Sequence, residues 1–318
     1  MAHSTARADV ILVRVSSISS SPPCRGRFAP SPTGPLHFGS LVAALGSCLS
    51  ARQQGGEWLL RIEDVDLPRT VSGAADGILR TLDAFGFAWD GPVLYQSQRL
   101  AAYAEVLAEL KVAGLVYGCL CTRSEIARQS SRPAVDGGLL YPGTCRSGLP
   151  AGQRARAWRL RLDGTVSFVD AIQGAVCQCL PEAVGDVVLQ RADGLYAYQL
   201  AVTVDDHFQG ISEVVRGADL LASTPRQIAL LRILGWPLPR YAHLPLVLNP
   251  AGEKWSKQTQ APALDVTRAV PTMVAALRFL GQAVPPELVE GSLAEVWRWA
   301  LVHWRLAAVP RGGLPTVL

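Results

Sequence analysis

The sequence predicts an α/β protein built on an open parallel sheet, and three stretches carry that prediction. Residues 26–47 read as a short strand, a Pro/Gly-rich turn and a helix. Residues 57–62 read as a strand that ends on a run of acids. Residues 241–248 read as a late strand leading into a lysine-bearing loop. In open parallel sheets, ligands bind at the carboxyl ends of the strands, beside the point where strand order reverses.

The bulk properties set the frame. A chain of 318 residues has room for two domains, or for one large domain with insertions. With 49% hydrophobic and 18% charged residues it can build a sizeable core. A net charge of +4 permits an anionic partner without establishing one. No apolar run is long enough to span a membrane, so no membrane partner is expected. Residues 1–24 hold a short apolar run, interrupted by Arg14, and then a Ser/Pro stretch. The run is too short for a secretory signal. The segment is expected to be a flexible extension or an artefact of start-codon choice, and the protein is expected in the cytoplasm. The seven cysteines should then be thiols or metal ligands.

In the first stretch, Arg27, Phe28 and Ala29 end a strand. Pro30, Pro32, Gly34 and Pro35 then force a stiff turn. Leu41, Val42, Leu45, Cys48 and Leu49 recur at helical spacing. His37 and Gly39 sit at the mouth of that helix, where free N–H groups and the dipole suit a phosphate. An ordinary strand-turn-helix with a surface histidine would read the same way. Further along, Glu63, Asp64 and Asp66 could bind a cation, an amine or nothing.

Residues 70–85 and 100–114 carry helical patterns, the latter stopped by Gly114. Cys119, Cys121 and, after a loop-like gap, Cys145 are consistent with a zinc site, since zinc favours four ligands from Cys, His or carboxylate. Cys177 and Cys179 form a second pair, which could complete a four-cysteine site or be buried hydrophobes. Residues 154–162 alternate basic and apolar side chains, a strand whose basic face would meet either RNA phosphates or solvent. Residues 165–172 continue a small β-rich insertion, and 186–191 are expected to return to the main sheet. Asp205, Asp206 and His207 suggest a metal or acid–base pair, although neighbours on a strand would face opposite ways. Of three lysines against 27 arginines, Lys254 and Lys257 fall in one loop, which implies a need for flexible ammonium charges there. Only 61 residues follow Lys257, enough for a short helical appendage.

Several of these motifs carry a resemblance. Pro30-Ser31-Pro32-Thr33-Gly34 with Leu36-His37-Phe38-Gly39-Ser40 resembles the HIGH signature of class I aminoacyl-tRNA synthetases in its glutamyl form. Lys254-Trp255-Ser256-Lys257-Gln258 resembles the KMSKS loop, with Trp255 and Gln258 departing from the usual residues. Arg61-Ile62-Glu63-Asp64, Tyr95-Gln96-Ser97 with Arg99, and the run from Asp205 to Gly217 resemble further glutamyl-type motifs. The likeness covers roughly residues 25–306.

It implies a class I synthetase Rossmann-like parallel sheet, with an inserted zinc-bearing α/β subdomain. The expected division is residues 1–24 as extension, 25–115 and 186–250 as the two halves of the nucleotide-binding domain, 116–185 as the acceptor-side insertion, and 251–318 as the lysine loop and C-terminal helices, with no anticodon-binding domain. It also implies roles. His37, Lys254 and Lys257 would be catalytic. Arg27, Ala29, Ser31, Glu63, Tyr198 and Arg216 would hold glutamate, with Glu63 facing its amine. Pro30, His37, Gly39, Ser40 and Lys257 would hold ATP, which enters with Mg2+. Cys119, Cys121, Tyr141 and Cys145 would hold one structural Zn2+, and Asp205, Asp206 and His207 would support the pocket. Lack of an anticodon reader points to the truncated paralogues, which activate L-glutamate without tRNA and attach it to queuosine in the anticodon loop of tRNA(Asp). A monomer is expected. Two other readings remain: a related enzyme with another acceptor, or a non-catalytic RNA-binding paralogue.

Overall fold

The computed structural model describes residues 23–130, 132–255 and 261–315. Lys257, and residues 1–22 of the expected extension, lie outside the described residues. Cys24 is already part of the fold: it is buried, and its carbonyl accepts the Glu57 amide at 2.9 Å.

The chain opens with β1 (Arg25–Phe28), α1 (Phe38–Gln53) and β2 (Glu57–Ile62). Then come α2 (Ala74–Ala84), β3 (Leu94–Tyr95) and α3 (Leu100–Val112). The middle holds β4 (Val116–Cys119), α4 (Arg123–Gln129), β5 (Ala157–Leu160) and the hairpin of β6 (Thr165–Asp170) and β7 (Gly174–Cys179). It continues through α5 (Leu180–Ala183), β8 (Val187–Gln190), α6 (Tyr198–Phe208), β9 (Glu213–Gly217), α7 (Thr224–Ile233) and β10 (Arg240–Leu244). Last are β11 (Leu246–Leu248), α8 (Ala269–Phe279), α9 (Leu293–His303) and β12 (Gly313–Pro315).

β1, β2 and β3 form one parallel sheet, and β9, β10 and β6 another, with β7 antiparallel on its edge. The two sheets meet where β1 runs beside β9. The Ser212 amide donates to the Arg25 carbonyl at 3.0 Å, and the Arg25 amide donates to Ser212 Oγ at 2.9 Å. α1 is buried on almost every side. It packs against the sheets so closely that a Cβ on Gly46 would stand 2.7 Å from Leu244 Cδ1. Its other face carries Met273 and Leu277 of α8, Val296 of α9 and Trp304, all in one core with Leu41, Leu45 and Leu49. The C-terminal helices therefore share the main core. Among the described residues no helix is long and apolar enough to cross a membrane.

Four local expectations are corrected. β8 does not rejoin the main sheet but pairs antiparallel with β5, beside β4. β6 does not stay in an insertion but lies parallel to β10, tied there by Ala171 N–H to the Tyr241 carbonyl at 2.9 Å. The basic strand has no single basic face: the register shifts between Trp158 and Arg159, and Arg159 is buried while Arg154 and Arg156 are exposed. Residues 205–207 lie on α6 rather than a strand. Leu200, Ala201 and Val204 reach the core at helical spacing, and that burial overrides their β-branched neighbours' strand preference.

Candidate active site

The Pro/Gly turn is pinned to the end of β2, because the Pro30 carbonyl accepts the Glu63 amide at 3.0 Å. This places an acid from the end of β2 beside the mouth of the preceding helix, α1. His37 is the N-cap of α1, with extended backbone (φ −124°, ψ 175°). A Cβ on Gly39 would come within 3.1 Å of His37 Cε1. The glycine thus makes room for the imidazole as well as for a ligand at the helix N-terminus.

Around this mouth lies a cavity of about 460 Å³. Arg27, Ala29, Pro30, Ser31, His37, Gly39, Ser40, Glu63, Tyr198, Arg216 and Lys254 all line it. Every expected ligand-binding residue within the described part of the chain is therefore at one site. Lys254 stands at its rim in an ion pair with Asp219.

One wall is a buried charge cluster. Asp206 of α6 accepts from Arg27 Nε at 3.1 Å and pairs with an Arg61 nitrogen at 2.8 Å. Arg61 also donates to Glu63 at 3.3 Å and to Gln209 at 2.8 Å. Burial disfavours charge on Asp206, but Arg27 and Arg61 outweigh it and hold the carboxyl below the usual range. At Glu63 burial wins over the same two arginines and pushes the carboxyl up. A ligand ammonium facing Glu63 would act in the opposite sense and favour its charged form. Burial likewise raises the Tyr198 phenol, which stays neutral near pH 7.

Opposite, Arg216 of β9 is only 6% exposed. Its guanidinium donates to His243 Nε2 (3.1 Å), Thr224 Oγ1 (2.8 Å), Gln227 Oε1 (2.8 Å) and Tyr198 Oη (3.4 Å). Four of its five N–H donors are thus used, leaving one for a ligand. With Lys254 and Asp219 paired to each other at the rim, Arg27, Arg216 and the Glu63 carboxylate are left to suit a ligand with carboxylates and an amine.

Of the three residues expected to support the pocket, only Asp206 does so, and from behind, through its ion pairs with Arg27 of the cavity wall and with Arg61. Asp205 sits 100° further round the helix and bonds Gln96 (3.0 Å), Arg99 (2.7 Å) and Tyr103 (2.6 Å) of the α3 side. His207 stacks on Trp236, with ring centroids 3.9 Å apart. Sequence reasoning gave no role to Arg61, Asp170, Thr224, Gln227 or His243. The usable signals were an arginine inside an apolar strand and a lone histidine in the run Tyr241 to Leu244.

The candidate metal residues also converge. The Sγ atoms of Cys119, Cys121 and Cys145 lie within 4.8 Å of one another. Cys121 and Cys145 are 3.6 Å apart, and Tyr141 Oη is 3.5 Å from Cys119 and 3.8 Å from Cys121. A tetrahedron with zinc–sulfur bonds of about 2.3 Å has edges of about 3.8 Å, so this donor set fits a closed four-ligand site. Cys177 and Cys179 are on β7, in another sheet, and are outside this cluster.

Two further cavities lie in a row beside the first, each sharing lining residues with the next. One of about 290 Å³ shares Ser31, Glu63 and Tyr198 with the first. That one shares Asp66, Arg69, Arg191 and Ala197 with an outer cleft of about 1160 Å³. Exposed Arg69, Arg123, Arg156 and Arg191 line this cleft beside Cys121.

Residues 23–270 match the family model for the catalytic domain of class I tRNA synthetases (E and Q), which fixes the class that fold and pocket had indicated. A glutamate tRNA ligase from Elizabethkingia meningosepticum, solved with its amino acid, is 26% identical. The likeness covers 93% of this chain and 67% of that one, at a TM-score of 0.76. Two curated relatives are closer still. The Dechloromonas aromatica protein is 68% identical over 92% of this chain and 97% of its own length. The Aromatoleum aromaticum protein is 57% identical over 92% of each. Both are named glutamyl-Q tRNA(Asp) synthetase, and this chain belongs to that family.

Proposed function

We propose that the protein is an ATP-dependent ligase, a glutamyl-queuosine tRNA(Asp) synthetase that activates L-glutamate without tRNA and transfers it to queuosine in the anticodon loop of tRNA(Asp). The observation that carries this reading is the single cavity that joins a helix N-terminus to an arginine–carboxylate pocket.

Activation needs no protein nucleophile. A glutamate carboxylate oxygen attacks the α-phosphorus of ATP, and pyrophosphate leaves as the acyl–phosphate bond forms. The protein must align two anions and stabilise growing negative charge. Arg27 and Arg216 pair with the carboxylates of glutamate, Glu63 with its ammonium, and Tyr198 packs beside it, with Ala29 and Ser31 completing that wall. Pro30, His37, Gly39 and Ser40 hold the nucleotide, which enters with Mg2+. Lys254 and Lys257 counter charge on the triphosphate. In the second step a hydroxyl of the modified base attacks the activated carbonyl. The ester forms as AMP leaves. The chain of cavities from the arginine-lined cleft to Glu63 and Tyr198 supports an acceptor entering from that side, with Arg69, Arg123, Arg156 and Arg191 on RNA phosphates. The protein acts as a cytoplasmic monomer.

The deciding experiment is glutamate-dependent ATP–pyrophosphate exchange with no tRNA present. Exchange with glutamate, and none with glutamine or aspartate, is the expected result. Exchange that begins only when tRNA is added would return the protein to ordinary glutamyl-tRNA synthetases. No exchange in either condition would favour a non-catalytic role.

Zinc in the Cys119, Cys121, Tyr141 and Cys145 set would be structural, because all four positions are taken by protein and none faces the nucleotide cavity. Metal analysis of the purified protein should find about one zinc per chain. Cys145→Ser should release it and lower the melting temperature. A metal-free protein that melts at the same temperature with and without added zinc would sink this assignment.

A further inference from the structure

We propose that Asp170 and His243 are a positioning relay for Arg216, fixing the guanidinium that receives the glutamate carboxylate; this rests on the reading of Arg216 as that anchor. The three residues come from neighbouring strands. Arg216 and His243 are direct partners in the β9–β10 ladder, and Asp170 ends β6 on the far side of β10. The side chains of Asp170 and His243 are completely buried.

The hydrogen bonds fix one direction through the relay. Asp170 Oδ1 accepts three backbone amides, from Ile172 (3.0 Å), Gln173 (2.8 Å) and His243 (3.1 Å). Its Oδ2 lies 2.6 Å from His243 Nδ1. Burial opposes charge here, but the bonds from His243 and from the amides hold the Asp170 carboxyl below its usual range. An ionised carboxylate can only accept, so the His243 proton sits on Nδ1. Nε2 then presents its lone pair, to which Arg216 Nε donates at 3.1 Å, with the Thr224 hydroxyl at the same distance as a second partner. The other tautomer would set an N–H against the N–H of a buried cation. Thr224 and Gln227 hold the opposite edge of the guanidinium. Its plane is therefore set before a ligand arrives, which lowers the ordering cost of binding a carboxylate.

Asp170→Asn tests the direction of the relay with almost no change in shape. The three amides at Oδ1 keep the new oxygen there and turn the NH2 toward His243 Nδ1. The imidazole must then carry its proton on Nε2, facing Arg216. The measurements are glutamate and ATP KM in pyrophosphate exchange, thermal melting, and nitrogen NMR of labelled histidine. Asp170→Asn should shift the His243 ring signals to the Nε2–H form and raise glutamate KM at least about tenfold, with ATP KM within about twofold. His243→Gln places an amide oxygen near the Nε2 position and needs no tautomer. Combined with Asp170→Asn it should bring glutamate KM back to within about threefold of the native value. An unshifted tautomer, an unchanged glutamate KM, or a double variant no better than Asp170→Asn would each overturn the relay. If Asp170→Asn alone fails to fold, His243→Gln against His243→Leu decides: equal glutamate KM values in those two also overturn it. Arg216→Lys separates the two levels. A glutamate KM untouched by that change removes the anchor reading and the relay with it. A KM raised by Arg216→Lys but not by Asp170→Asn removes the relay alone.

Discussion

Arg216→Gln should lower kcat/KM for glutamate activation by roughly two to four orders of magnitude. Truncating one partner of a buried, hydrogen-bonded charge pair costs about 2–5 kcal/mol, and each 1.36 kcal/mol is a factor of about ten. Arg216 is the right residue for that estimate because it is 6% exposed and water cannot replace it. Glutamine offers two donors where the guanidinium offers five. It also leaves His243 Nε2 and Gln227 without the partner they now share. The loss should fall on glutamate and spare ATP. Discrimination should suffer too, since a pocket without that cation no longer favours a carboxylate over an amide. Pyrophosphate exchange with glutamate and with glutamine, each over a range of concentrations, reads all of this. Native kcat/KM in the variant would remove Arg216 from the binding pocket.

The second large effect is on stability. Asp206→Asn should destabilise the protein by about 3–5 kcal/mol, because it strands two buried guanidinium groups with Glu63 as their remaining carboxylate. In a protein of this size that is a fall in melting temperature on the order of 10 °C. The pH dependence has a definite sign. The Asp206 carboxyl is held below its ordinary value when folded. Its contribution is therefore complete above the unfolded value of about 3.9, and fades as pH drops through the lower folded value. Glu63 runs the other way. Its folded carboxyl is raised, so its share of stability is present at low pH and declines as pH rises through that raised value. The gap in melting temperature between the native protein and Asp206→Asn should stay constant from neutral pH to about 5 and close below about 4. A gap that widens on acidification would contradict the ion-pair account.

What could be read from the sequence was local. Pro30 to Ser40, and Glu63 at a strand end, announce themselves because proline, glycine and strand-end acids act through their immediate neighbours. Arg27, Tyr198 and Arg216 came only through resemblance, since nothing near them in the chain says they converge. The relay was invisible for the same reason, as Asp170, Arg216 and His243 meet only when β6, β9 and β10 lie side by side. Asp205 and Asp206 show how one misread element spreads. Once residues 198–208 are helical, two adjacent acids serve different neighbours, one behind the pocket arginine Arg27 and one against α3. The second cysteine pair failed on topology, because β7 belongs to the sheet of β10 and not to that of β4.

The contact of β1 with β9 joins residues 187 positions apart. On the ribosome, at roughly 5–20 residues per second, β1 waits about 10–40 s for its neighbour to be made. Until then its hydrogen-bonding edge is bare, and the apolar face of α1 lacks both β10 and α8. Such non-local closure slows folding and leaves an edge open to wrong pairing. The two arginines of the pocket, Arg27 and Arg216, belong to opposite sides of that seam. Catalytic competence is therefore among the last properties a nascent chain acquires, and a chain stalled before β9 holds half a substrate pocket and an unprotected strand.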